Sequence, residues 1–173
     1  MNFRGHLVGG VLAGGCCAAA ALRWGYVAAD DFVALAGVGG TAVFFALFPD
    51  FDTASVPQRW FFRAVFVALV YLGGTGQFEL ATLVGLLSVL PLLDHHRGWT
   101  HWKASPLLVP LFLGAVYEYW RARHAWVDGF DWTNIGGVLK GHVVYLGASI
   151  VGWYTHLLLD GQFKIFPTDR DHH

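Results

Sequence analysis

The chain has 173 residues, of which 55% are hydrophobic and only 13% charged, with a formal net charge of −1. The mean hydropathy of +0.49 and the eight tryptophans and six tyrosines point to bilayer rather than water as the outer solvent. A near-neutral chain without a basic block offers no electrostatic footprint for nucleic acid. The adjacent Cys16 and Cys17 cannot staple distant segments by pairing with each other, which excludes a disulfide scaffold.

The chain reads as a single domain over residues 1–173 with about six apolar segments. The first, residues 6–22, is rich in Gly and Ala, which suits close packing of helices. Further apolar runs follow it, so an uncleaved first helix is expected rather than a removed leader. The second, 32–48, stops at Pro49, and PDFDTASVPQRWFFR after it reads as a loop or surface helix. The third covers 61–72, GGTG at 73–76 looks like a tight turn, and the fourth covers 78–93. The fifth runs over 104–120 and the sixth over 138–159, with the polar RARHAWVDGFDWTN between them. Most runs are shorter than the ~20 residues that span a hydrocarbon core. The expected fold is therefore an all-α polytopic membrane helix bundle of about six apolar helices, some short or tilted.

If the helices alternate across the membrane from His6, one face receives His6, PDFD, DHHRGWTH (94–101) and THLLLD (155–160). That face would carry Arg4, Arg59, Arg63, Arg97, Lys103, Lys164 and Arg170, against Arg23, Arg121, Arg123 and Lys140 on the other. Seven cations against four favour a cytoplasmic site.

The four clusters carry the chemistry. Asp50 and Asp52 are two apart in a turn that can aim both carboxylates at one cation, although an acidic helix stop reads the same way. His156 and Asp160 have the i,i+4 spacing that puts them on one helix face, and ionisable groups in apolar surroundings are costly unless paired or liganded. His96 and His101 flank Gly98, which can bend the chain so that both rings point inward. Thr100 can cap a helix or bond a ligand's second ring nitrogen. The guanidinium of Arg97 suits a phosphate or carboxylate. Asp94 and His95 can be ligands, supporting groups or interfacial residues. His124 and Asp128 share the i,i+4 spacing but fall on the opposite face, and His172 and His173 sit in a polar tail. Imidazoles with carboxylates form a mixed N/O set suited to zinc or manganese, as one ion or two.

On His6, FPDFD (48–52), HRGWTH (96–101) and HLLLD (156–160), the sequence resembles the YdjM-like family of LexA-binding, inner-membrane-associated, metal-dependent hydrolases. The resemblance implies His6, Asp50, Asp52, His96, His101, His156 and Asp160 as metal ligands and Arg97 as the family's arginine. The family often has a histidine where this chain has Thr53, a gap that His95 can fill. The dispersed His and Asp ligands are also similar in style to those of zinc-dependent phospholipase C. The expected function is a membrane-bound metal-dependent hydrolase of a phosphoester, such as a phospholipid head group, with Arg97 and Asp52 in catalytic roles. Its expected partners are the lipid bilayer and a small phosphorylated or lipid-like substrate, without nucleic acid. Two other readings use the same polar groups. A small ion or solute transporter predicts an aqueous path to both faces, and a non-enzymatic scaffold with a structural metal predicts a closed coordination shell.

Overall fold

Apolar stretches in low dielectric must satisfy their own backbone, and here they do so as helices. A computed structural model describes residues 3–52, 54–93, 99–124 and 132–161. Among them the elements are α1 (Phe3–Arg23), α2 (Phe32–Leu47), a 3₁₀ turn (Phe48–Asp52), α3 (Val56–Gly74), α4 (Phe78–Val89), a 3₁₀ turn (Leu90–Leu92), a 3₁₀ turn (Trp99–His101), α5 (Ser105–His124), α6 (Trp132–Gly141) and α7 (Val143–Leu159).

The all-α class is observed, but the expectation of about six membrane-spanning apolar helices is overturned. Among the described residues two helices are long and apolar enough to cross a bilayer, Phe3–Arg23 and Phe32–Asp52. A third crossing exists if Thr133–Gly141 and Val143–Leu159, bent by 79° at their junction, form one broken span. The apolar fourth segment is only the short helix Phe78–Leu92. The fifth continues through RARH to His124 and carries Glu118, Arg121 and Arg123 in its last turns, and α3 carries Arg59 and Arg63 in its first half. Counting apolar runs misjudged the crossings for two reasons: α4 is too short to span, while α3 and α5 are long enough but extend beyond their apolar runs into polar and charged residues.

The two long helices and α7 form the packed centre. Glycines let the backbones approach. A Cβ on Gly14 would lie 2.6 Å from Gly39 O, and one on Gly152 would lie 2.1 Å from Ala42 O, the small-residue packing typical of membrane helices. Val38, Ala42 and Ala148 are buried in this seam. Towards one end, Phe45, Phe48 and Phe51 pack with Trp153 and Leu157. Elsewhere many large apolar side chains face outward, among them Val8, Leu12, Phe66 and Val67, an outer surface suited to hydrocarbon.

Several polar contacts set the loops at that end. Ser55 Oγ accepts from Gln58 N–H (3.1 Å), capping α3, and donates to Asp50 O (2.8 Å). Gln58 Nε2 donates to Phe51 O (3.0 Å). Ser55→Ala should cost about 1 kcal/mol of stability in an unfolding titration, the usual worth of an N-cap, and should loosen the turn that carries Asp50. At the other end, the fully buried Glu118 receives a bidentate contact from Arg121, with both bonds at 2.7 Å. Arg123 pairs with Glu79 (3.0 Å) and ties α5 to α4. α3 turns into α4 through Thr75 and Gly76, the latter at φ 76°.

Candidate metal centre

The end of α2, the start of α1, the Trp99–His101 turn and the end of α7 meet at one point. His6 lies in the first turns of α1, the 3₁₀ turn after α2 brings Asp50 and Asp52, and α7 brings His156 and, at its C-cap, Asp160. The indole N–H of Trp153 donates to Thr100 O (2.9 Å), and Tyr154 O–H donates to Lys103 O (2.9 Å). Ser105 O–H donates to Trp99 O. These bonds hold the turn bearing His101 against α7.

His156 is fully buried, and its Nδ1 lies 2.8 Å from Ala46 O. A carbonyl only accepts, so Nδ1 carries the proton and Nε2 keeps a lone pair. That Nε2 lies 3.8 Å from Asp50 Oδ1 and 3.7 Å from Asp160 Oδ2. Both separations exceed a hydrogen bond. Among the described residues, His156 Nε2 and His6 Nδ1 are buried nitrogens without a hydrogen-bond partner. Leaving such atoms unsatisfied is costly. The two rings stack at 4.0 Å between centroids and 17° between planes. The other nitrogen of His6, Nε2, lies 3.1 Å from Asp160 Oδ1.

His101 is oriented by a short chain of polar groups. Thr100 Oγ1 donates to Asp52 Oδ2 (3.1 Å) and lies 3.0 Å from His101 Nδ1. With the hydroxyl proton on the carboxylate, Oγ1 accepts from Nδ1–H. His101 Nε2 then points towards Asp160 Oδ2 at 3.8 Å. Asp52 stands at the Nδ1 edge of the ring, its Oδ2 3.9 Å from Nδ1. A carboxylate supporting an imidazole from its far nitrogen is a recurring feature of metal sites.

Among the described residues, two groups of side chains place their ligand atoms within 4.8 Å of one another: His6, Asp50 and His156, and His101, His156 and Asp160. Either suits one divalent cation, so the arrangement is consistent with one ion or two. His156 supplies a single lone pair to both groups, so filling both at once needs a further donor in one of them. Burial would push the Asp160 carboxyl up; the neighbouring imidazoles of His101 and His6 more than offset this and hold it well below the usual carboxylate range. A carboxylate at the negative end of α7 is itself disfavoured, which favours a cation beside it.

Of the residues singled out from sequence, His6, Asp50, Asp52, His101, His156 and Asp160 come together. His96 and Arg97 lie outside the described residues, as do Thr53, Asp94, His95, Asp128, His172 and His173. His124 is elsewhere, its Nδ1 on Trp120 O (2.8 Å) and its Nε2 3.9 Å from Glu79. The sequence reading missed the carbonyl of Ala46 and the indole of Trp153. A backbone acceptor has no sequence signal, but a tryptophan three residues before His156 was a visible one.

These features define the class: an all-α membrane protein with a buried His/Asp cluster able to hold a divalent cation. The chain belongs to the YdjM inner membrane protein family, whose profile matches residues 1–165. That family is associated with the inner membrane and described as metal-dependent hydrolases. Membership and the clustered groups together support a metal-binding hydrolase of the inner membrane. No curated protein and no solved structure gave a match to the chain.

Proposed function

We propose that this chain is, as one catalytic unit over residues 1–173, a hydrolase of phosphoesters at the membrane surface. His6, Asp50, His101, His156 and Asp160 would hold zinc or manganese, with His96 as a further ligand. The observation that carries this reading is His156, whose Nδ1 is committed to Ala46 O while its buried Nε2 lies between two carboxylates. A hydrogen-bonded structural histidine has no need of that arrangement. A divalent ion bound there supplies Lewis acidity and lowers the pKa of water.

The protein's own groups do the rest. Asp52 holds Thr100, and through it His101, in the ligating orientation, and would take up a proton. Arg97 meets the anionic phosphate, where a guanidinium forms paired charge-assisted bonds. The seven cations that the sequence assigns to the face of His6, against four on the other, support a centre that faces the cytoplasm.

The test uses full-length protein purified in detergent without chelator. Elemental analysis should find one or two zinc or manganese ions per chain. Hydrolysis of bis(p-nitrophenyl) phosphate should disappear on chelation and return with added metal. Protein that binds no metal, or that shows the same hydrolysis rate with and without chelator, would refute the reading.

A further inference from the structure

A cavity of about 490 Å³ lies between α2, α3, α4 and α5. Its walls include Phe61 and Val65 of α3, Val84 and Leu87 of α4, and Val109 and Phe112 of α5. Among the described lining residues the only hydroxyl is that of Ser88, and it already donates to Gly85 O (2.7 Å). Water there would find almost nothing to bond, which favours an apolar occupant. The chamber is open to the surface, where Phe44, Leu108 and Phe112 of its lining are exposed.

The place of the cavity gives it a purpose. Phe48 and Trp99, which also line it, stand two residues before Asp50 and His101 respectively. Their rings approach each other at 6.4 Å between centroids. The chamber therefore shares a wall with the two turns that carry the candidate ligands. Three of its four helices, α3, α4 and α5, are not among the described helices able to cross the bilayer alone.

We propose that this chamber seats the hydrocarbon tail of a phospholipid whose phosphoester lies at the His/Asp centre. The proposal rests on the hydrolase reading for the head-group end, while occupancy of the chamber stands or falls separately. Seating the tail covers this apolar wall and would leave the polar head on the side of Phe48 and Trp99, towards the turns that carry the candidate ligands.

The test is a phosphatidylglycerol bearing a photoactivatable diazirine in one acyl chain, mixed into vesicles with the full-length protein. After irradiation, adducts should concentrate on Phe61, Val65, Leu87 and Phe112. Val84→Trp, which fills the chamber, should lower that labelling by about tenfold, since a tryptophan ring displaces several chain carbons. Leu12→Trp, on an outward-facing position of α1, should leave it unchanged. Metal content measured alongside checks that Val84→Trp retains the centre; if that variant fails to fold, the wild-type adduct map decides alone. Adducts spread over Val8, Leu12 and the chamber in proportion to exposure would overturn the proposal, as would chain-to-chain adducts at the chamber residues in place of lipid. Hydrolysis of bis(p-nitrophenyl) phosphate without chamber labelling refutes the tail site and leaves the hydrolase standing. Chamber labelling without metal-dependent hydrolysis does the reverse.

Discussion

Gly152→Ala is expected to be the most damaging single-methyl change in the described molecule. The added Cβ would lie 2.1 Å from Ala42 O and 2.9 Å from Ala42 Cα. Both are backbone atoms of α2, so no side-chain rotation relieves the clash and the two helices must separate. Overpacking of this kind costs about 3 kcal/mol or more. The better helix propensity of alanine returns only about 1 kcal/mol, so the loss prevails. The displacement reaches the site, because Ala46, one turn beyond Ala42, accepts the 2.8 Å bond from His156.

Gly147, on the same helix, is the internal control: nothing lies within 4 Å of a Cβ there. Gly147→Ala should stabilise by up to about 1 kcal/mol. Denaturant titration in micelles, with metal content measured in parallel, reads both variants. A Gly152→Ala protein as stable and as metal-replete as the wild type would refute the packing described for α2 and α7.

Thr100→Val should weaken metal binding by about 10- to 100-fold, the usual effect of losing a group that supports a ligating histidine. Valine nearly matches threonine in shape but has no hydroxyl, so the path from Asp52 to His101 Nδ1 is cut. The backbone bond from Trp153 to Thr100 O is untouched, so the turn itself should keep its place. Thr100→Ser restores the hydroxyl and should recover most of the affinity. Competition with a chromophoric chelator measures all three proteins. Equal affinity for Val and wild type, or a Ser variant no better than Val, would show that Thr100 does not orient the ligand.

The helical class and much of the site chemistry were legible in the sequence, for a local reason. His156 and Asp160 share a helix face because one turn is 3.6 residues, and that follows from spacing alone. PDFD advertised itself as two carboxylates directly after an apolar run. Thr100 was already a candidate partner for a ring nitrogen, and the structure places its hydroxyl 3.0 Å from His101 Nδ1. The paired Glu118 and Arg121 passed without notice, because the salt bridge depends on a burial that i,i+3 spacing does not reveal.

What the sequence by itself determined is the chemistry available: apolar helices, small-residue stripes, and imidazoles and carboxylates at the helix ends. The folded structure decided how many helices can cross, because where each helix starts, stops and bends, as in the 79° bend between α6 and α7, is not given by the apolar runs alone. It also decided which lone pairs point inward. The close approach of α2 to α7 brings Ala46 O to His156, and the Trp153 bond fixes the turn of His101. Orientation of a ring comes from the partner on its far nitrogen, and here those partners come from other elements of the chain or from the backbone.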